Sequence, residues 1–187
     1  EHGGGFRSNY EQTKYEAHRL VEELIDQGAP VVNMIVSTVY GPGDESPVAE
    51  LIEHHLAGRA LAHLDRRAGY TFTHVDDVAA ALRLGYERGE IGQRYLVSGT
   101  PATFEGFFDQ LSELTGIAAP KFEVPSRLVD MIKPVLEAIA PLIGKSAAEV
   151  DESLAMGRNV TRFFSGDKAR EELGWEPRTL DEGLRQT

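Results

Sequence analysis

Val31-Val32-Asn33-Met34-Ile35-Val36-Ser37-Thr38-Val39-Tyr40-Gly41-Pro42-Gly43-Asp44 joins a nearly continuous apolar run to a segment punctuated by glycine and proline. Val31 to Val36 shows no alternation of polar and apolar residues and is bounded by turn formers, with Gly28-Ala29-Pro30 in front. Such a run reads as a strand buried on both faces, as in a parallel sheet. Ser37 to Asp44 reads as the loop that follows it. In an open α/β sheet, ligands bind outside the carboxyl ends of the strands. The stretch therefore points to an α/β fold and makes its loop a candidate ligand-binding region.

Upstream, Ser8-Asn9-Tyr10-Glu11-Gln12-Thr13-Lys14-Tyr15-Glu16-Ala17-His18-Arg19-Leu20 reads as the start of a helix. Ser8 or Asn9 is its N-cap, and Leu20, Val21, Leu24 and Ile25 form its apolar stripe. Tyr10 and Lys14 stand at i and i+4, so phenol and ammonium share one face. A cation near a tyrosine stabilises its phenolate, which at the reference pKa is only roughly 0.1% populated at pH 7. That pairing suits a general acid/base for alcohol–ketone chemistry. Taken alone, it is also a common pattern on solvated helix faces.

Downstream, Ser46 caps a helix over Pro47 to Leu56. Its adjacent His54 and His55 point to different sides and make a poor metal chelate. Leu61 to Leu64 and Tyr70 to Val75 read as short strands. Thr73-His74-Val75-Asp76-Asp77-Val78-Ala79 runs from strand into helix, with two aspartates in the first turn. His74 reads as a catalytic base or, preferably, as a hydrogen-bonding anchor of that corner. Arg94 to Val97 is a further strand. Thr103 caps a helix from Phe104 to Leu114 that Gly116 ends, and Lys121 to Val124 is extended. Ser126 to Leu142 is an amphipathic helical region interrupted by Pro134 and Pro141. Helices follow over Ala147 to Met156, within Phe163 to Pro177 as a capped short helix closed by Gly174, and from Leu180 to Arg185.

The bulk numbers exclude several classes. A net charge of −11 disfavours nucleic acid and anionic membrane surfaces as partners. Arginine (14) outnumbers lysine (5), and the absence of cysteine rules out disulfides, thiolate metal sites and cysteine nucleophiles. No run approaches the roughly 18 apolar residues of a membrane span, and the first residues do not resemble a signal peptide. A cytoplasmic protein is expected. The chain opens with Glu1-His2-Gly3-Gly4-Gly5 and no methionine, which reads as a piece of a longer protein.

Four segments carry a resemblance: Tyr10-x-x-x-Lys14; Val36-Ser37-Thr38-Val39-Tyr40-Gly41-Pro42-Gly43-Asp44; His74-Val75-Asp76-Asp77-Val78-Ala79; and Lys168-Ala169-Arg170-Glu171-Glu172-Leu173-Gly174-Trp175-Glu176-Pro177. In this order, with Arg94-Tyr95-Leu96-Val97-Ser98-Gly99 between the last two, they resemble the C-terminal portion of an extended short-chain dehydrogenase/reductase. That is the NAD(P)-dependent epimerase/dehydratase superfamily. Nucleotide-sugar epimerases usually carry Arg-Pro where this chain has Ile35-Val36, and often Arg-Asp where it has Tyr70-Thr71. Losing that guanidinium fork weakens diphosphate binding, although Arg66 or Arg67 could substitute. Ser37-Thr38, Tyr10-Glu11-Gln12-Thr13-Lys14 and Phe163-Phe164-Ser165 with Lys168-Ala169 are more similar to the dihydroflavonol-reductase-like branch.

The resemblance implies the C-terminal half of a Rossmann-type doubly wound parallel sheet, with a small, mostly helical substrate-binding subdomain. Residues 1–46 would end the Rossmann domain, and 47–187 would form mainly the subdomain, with 69–100 returning to the sheet. It implies an oxidoreductase acting on a small-molecule carbonyl or alcohol, with NAD or NADP as cofactor. Tyr10 and Lys14 would be catalytic. The same two residues and Val36, Ser37 and Thr38 would bind cofactor, while Tyr40, Tyr70 and Phe72 would bind substrate. A homodimer is implied too. The family's glycine-rich dinucleotide turn does not occur in this sequence after a strand, nor does its catalytic Ser/Thr precede Tyr10. The piece alone is thus expected to be inactive. Two alternatives stay open: a nucleotide-sugar epimerase or dehydratase, and a non-catalytic dinucleotide sensor.

Overall fold

The computed structural model describes residue 6 and residues 9–156 and 161–187. Ser8, one of the two N-cap candidates, and Gly3 to Gly5 lie outside them. Helix α1 covers Asn9–Asp26 and is followed by Gly28 at φ +85°, a left-handed turn that glycine adopts without strain. Contrary to the expected stripe, α1 buries none of its residues fully. Val21 and Ile25 are half-buried, whereas Leu20 and Leu24 are exposed.

Strand β1, Asn33–Val36, pairs in parallel with β5, Arg94–Val97, in the register Asn33↔Arg94 to Val36↔Val97. The expectation of burial on both faces fails here: β1 is half-buried and Val36 exposed. Among the described residues β1 has a ladder partner on one edge only, so its apolar run is incompletely covered. The segment expected as a loop after Val36 also contains a strand, β2, Thr38–Tyr40. It pairs in parallel with β4, Gly69–His74, so Thr38 faces Phe72 and Tyr40 faces His74 across the ladder. Ser37 is the pivot between the two sheets, and its N–H still donates to the Val97 carbonyl at 3.0 Å.

Strand β4 organises the larger sheet, and all six of its residues are buried. Strand β6, Thr100–Thr103, runs antiparallel along its Gly69 to Phe72 portion. Strand β8, Thr161–Arg162, runs parallel beside Gly69 and Tyr70, leaving Phe72 to His74 for β2. Neither β6 nor β8 was expected: Thr-Pro-Ala-Thr and Thr-Arg carry no alternation, and each becomes a strand because β4 offers an edge.

The helices lie as expected, with small shifts. Helix α2 is Pro47–Leu56, capped by the Ser46 side chain, which accepts from the Val48 N–H. Helix α3 is Val75–Arg88, and α4 is Phe104–Thr115, capped by Thr103 and closed by Gly116. Strands β3, Ala62–His63, and β7, Phe122–Glu123, form a small separate ladder. Helix α5, Ser126–Ile139, runs through Pro134 without ending there, and a 3-10 turn, Ala140–Ile143, takes up Pro141. Helix α6 is Ala147–Met156, α7 is Asp167–Leu173 and α8 is Leu180–Leu184.

Two apolar clusters hold this together. One gathers Tyr40, Tyr70, Phe72, Phe104, Phe107 and Leu180, with Phe72 and Phe107 stacked at 4.7 Å. The other gathers Leu84, Tyr95, Val97, Leu173 and Trp175 around β5, α3 and α7. Fully burying an aromatic or leucine side chain contributes about 1.5–3 kcal/mol, so these clusters, not α1, anchor the fold. Among the described residues no helix is long and apolar enough to cross a membrane.

Candidate active site

Helix α1 brings Tyr10 and Lys14 into contact, with the Lys14 Nζ 5.5 Å from the centroid of the Tyr10 ring. The ammonium lies over the ring face, and Tyr10 is 55% exposed. The helix is held by polar links. Glu11, next to Tyr10, pairs with Arg162 of β8, and Glu22 pairs with Arg94 of β5 at 2.5 Å. Asn33 Nδ2 donates to His18 Nδ1 at 3.5 Å.

The carboxyl end of β1 supplies the second group. Val36 is exposed there, and Ser37 and Thr38 are half-buried. The Ser37 hydroxyl meets the Thr73 hydroxyl at 2.8 Å, and Thr73 Oγ1 also accepts the Gly99 N–H at 2.9 Å. Thr73 thus fixes Ser37 where the chain changes sheets, a role that nothing in the sequence marked.

The aromatic residues expected at the substrate lie deeper. Tyr40 and Phe72 are core side chains, packed edge to face at 6.4 Å. Burial pushes the Tyr40 phenol far above its usual range, with Asp77 adding to the shift. Tyr70 is also buried, but the Arg162 guanidinium lies 5.9 Å over its ring. Thr71 Oγ1 accepts the Phe164 N–H at 3.0 Å, which docks the chain beyond β8. Arg66, considered above as a diphosphate ligand, is paired with Glu105 instead.

His74 is the corner anchor. Its Nδ1 accepts the Asp76 N–H at 3.3 Å and a proton of Arg178 Nη1 at 2.9 Å. Both partners only donate, so the ring carries its hydrogen on Nε2. Burial first, and then the Arg178 charge, lower its pKa below the usual histidine range. Arg178 also forks onto Asp77, with Nε and Nη2 each 3.1 Å from Oδ1, and Trp175 Nε1 donates to the Asp77 carbonyl at 2.9 Å. Nothing in the sequence marked Arg178: Asp77 becomes a buried carboxylate that needs a cation only in the fold.

The model of the family described as "NAD dependent epimerase/dehydratase family" matches residues 5–98. The chain belongs to that family. Its relatives include a putative dihydroflavonol 4-reductase of Synechocystis, 29% identical over 181 residues, 94% of this chain and 52% of that protein. Among solved structures, gox2253 has a TM-score of 0.73 at 30% identity, covering 95% of this chain and 54% of its own. A nucleoside-diphosphate-sugar epimerase from Pseudomonas aeruginosa has a TM-score of 0.72 at 25% identity, covering 98% of this chain and 54% of its own. The chain therefore spans about half the length of the proteins it matches. The fold is α/β, of the Rossmann type of these neighbours, and the family description carries the cofactor class expected from the sequence.

The residues fit one end of such a cofactor. Lys14 is exposed beside Tyr10, and its contact with the ring leaves ammonium donors for a ribose hydroxyl. Val36 is exposed at the carboxyl end of β1, while Ser37 and Thr38 are half-buried and Thr38 already belongs to β2. Among the described residues no glycine-rich turn leads from a strand into a helix to cradle a pyrophosphate.

Proposed function

We propose that this chain supplies the acid/base half of an NAD(P)-dependent oxidoreductase that interconverts a small-molecule alcohol and carbonyl. The observation that carries the reading is the Lys14 ammonium held over Tyr10 on one face of α1, in a chain of this family. The dinucleotide, when bound, supplies hydride chemistry at its nicotinamide. Tyr10 passes a proton to or from the substrate oxygen. Lys14 favours the phenolate and hydrogen-bonds the ribose, while Val36, Ser37 and Thr38 orient the nicotinamide ring. Residues 47–187 form mainly the substrate side, with 69–100 returning to the sheet. Of the three aromatic residues expected at the substrate, Tyr70, which meets Arg162, is kept in that role. Tyr40 and Phe72 are assigned to packing.

The test is Tyr10→Phe in the whole protein, assayed over a panel of hydrophobic ketones and aldehydes. We expect kcat to fall about 10²–10⁴-fold with KM little changed. Unchanged turnover overturns the assignment.

Arg162 favours one other reading. Its guanidinium stands over Tyr70, where epimerases often carry an arginine, and it could grip a nucleotide diphosphate once released from Glu11. Thermal-shift screening separates the two: stabilisation by UDP- or GDP-sugars supports the epimerase, and stabilisation by hydrophobic ketones supports the reductase. Cofactor binding with no turnover on any substrate would support a dinucleotide sensor.

A further inference from the structure

A second site lies beside the small ladder of β3 and β7. Two chain segments, the one that leaves α2 and the one that joins α4 to β7, form a groove of about 300 Å³. That volume reaches the lower end of small-molecule pockets and is about twice the ~150 Å³ that admits benzene. Ala60 and Leu61 line it from the first segment, and Ile117, Ala119, Pro120 and Phe122 from the second. Leu61 and Phe122 are each 74% exposed, so two large apolar side chains of the lining stand in water.

The walls are tied in place. The ladder pairs Ala62 with Phe122, and His63 Nε2 donates to the Pro120 carbonyl at 3.0 Å. The Thr115 hydroxyl donates to the Leu111 carbonyl at 2.7 Å and accepts the Ile117 N–H at 3.2 Å, on either side of the left-handed Gly116. A ligand therefore meets a preformed surface and has little chain to order.

Charge sets the groove apart. The sequence carries 30 acidic residues against 19 lysines and arginines, yet no residue lining the groove is acidic. Its one lysine, Lys121, is exposed and has no ion pair or side-chain hydrogen bond among the described residues. Arg59, between the lining residues Gly58 and Ala60, is exposed and likewise without an ion pair among them. The acid nearest to Lys121 along the chain, Glu123, accepts the Arg66 N–H at 3.2 Å. With no partner to leave, Lys121 can swing its ammonium on a four-carbon stem onto a ligand lying in the groove. The walls ask for an alkyl chain, and the unpaired cations ask for an anion at its end.

We propose that this groove binds a free alkyl carboxylate of roughly eight carbons, with the carboxylate on Lys121 and the chain over Leu61 and Phe122. No residue of α1, and none of Val36, Ser37 or Thr38, lines it. The inference therefore stands independently of the Tyr10/Lys14 reading, and either can fail alone.

Calorimetry of the whole protein with octanoate, 1-octanol and acetate tests it. Octanoate should bind about three- to fivefold more tightly than 1-octanol, the range of an exposed ion pair, and acetate should not bind measurably. Added salt should shrink that advantage. Lys121→Gln should remove most of it and leave the affinity for 1-octanol unchanged, whereas Lys14→Gln should change neither ligand. Ala118→Trp, at an exposed position that lines the groove, should abolish binding of both. Equal affinities in the wild type would mark a purely apolar occupant and overturn the proposal. So would an octanoate advantage that survives Lys121→Gln, octanoate binding lost in Lys14→Gln or kept in Ala118→Trp, or no octanoate binding below its micelle concentration.

Discussion

Gly183 shows how much of this fold turns on single atoms. It sits in α8 against the Tyr40 ring, and a Cβ there would collide with the Tyr40 hydroxyl and lie 2.8 Å from Cζ. Gly183→Ala should therefore destabilise by about 1–3 kcal/mol, the usual cost of overpacking a filled core. Adding Tyr40→Phe should recover part of the loss, because the colliding oxygen is gone. Chemical denaturation of the two variants and the wild type measures both effects. Histidine titration belongs to the same scale. His74 and His55 are fully buried with pKa values lowered mainly by burial, so the unfolded chain takes up protons at a higher pH than the folded one. Their stabilising contribution is present above the unfolded value near 6.5 and is lost as pH falls towards the lower folded values. Unfolding temperature should drop between pH 7 and pH 5. His74→Gln should make that drop shallower, whatever it does to stability at pH 7.

At the scale of elements, α1 differs from every other long helix described here. It carries the proposed dyad yet is held largely by ion pairs, Glu11–Arg162 and Glu22–Arg94, with partly exposed partners. Such pairs contribute about 0.2–1 kcal/mol each and weaken as salt shortens the Debye length. Raising the ionic strength, or substituting Arg162→Ala, should speed amide exchange in α1 while β4 and β5 stay protected. Equal acceleration everywhere would show that α1 is anchored by something else. The implied homodimer would use the outward face of the same helix, where Leu20 and Leu24 are exposed one turn apart. Leu20→Glu with Leu24→Glu should then leave a monomer by light scattering, where the wild type gives twice that mass.

For the molecule as a whole, punctuation made the order of elements readable. Gly28, Ser46, Thr103, Gly116 and Gly174 mark helix ends because capping and left-handed turns have their own residue chemistry. Pairing was not readable in the same way. The segments Thr38–Tyr40, Thr100–Thr103 and Thr161–Arg162 are strands only because β4 lies beside them. The candidate site divides along the same line. Sharing of a face by Tyr10 and Lys14 follows from the helical period alone. The burial of Tyr40 and Phe72 follows from a register between β2 and β4 that no local pattern encodes.

The sharing of one β4 edge between β2 and β8 also orders events during synthesis. As the chain leaves the ribosome, β2, β4 and β6 can pair early, since they fall within Thr38 to Thr103. The Gly69–Tyr70 part of that edge must wait for Thr161 and Arg162, and Thr71 for Phe164, which is 93 residues further on. Until then the nascent protein displays an unpaired stretch of buried-type strand, open to any other extended segment nearby. Its aggregation hazard is therefore concentrated in the interval of translation between β6 and β8. A stalled or truncated product ending before Thr161 should be the form that quality-control proteases remove.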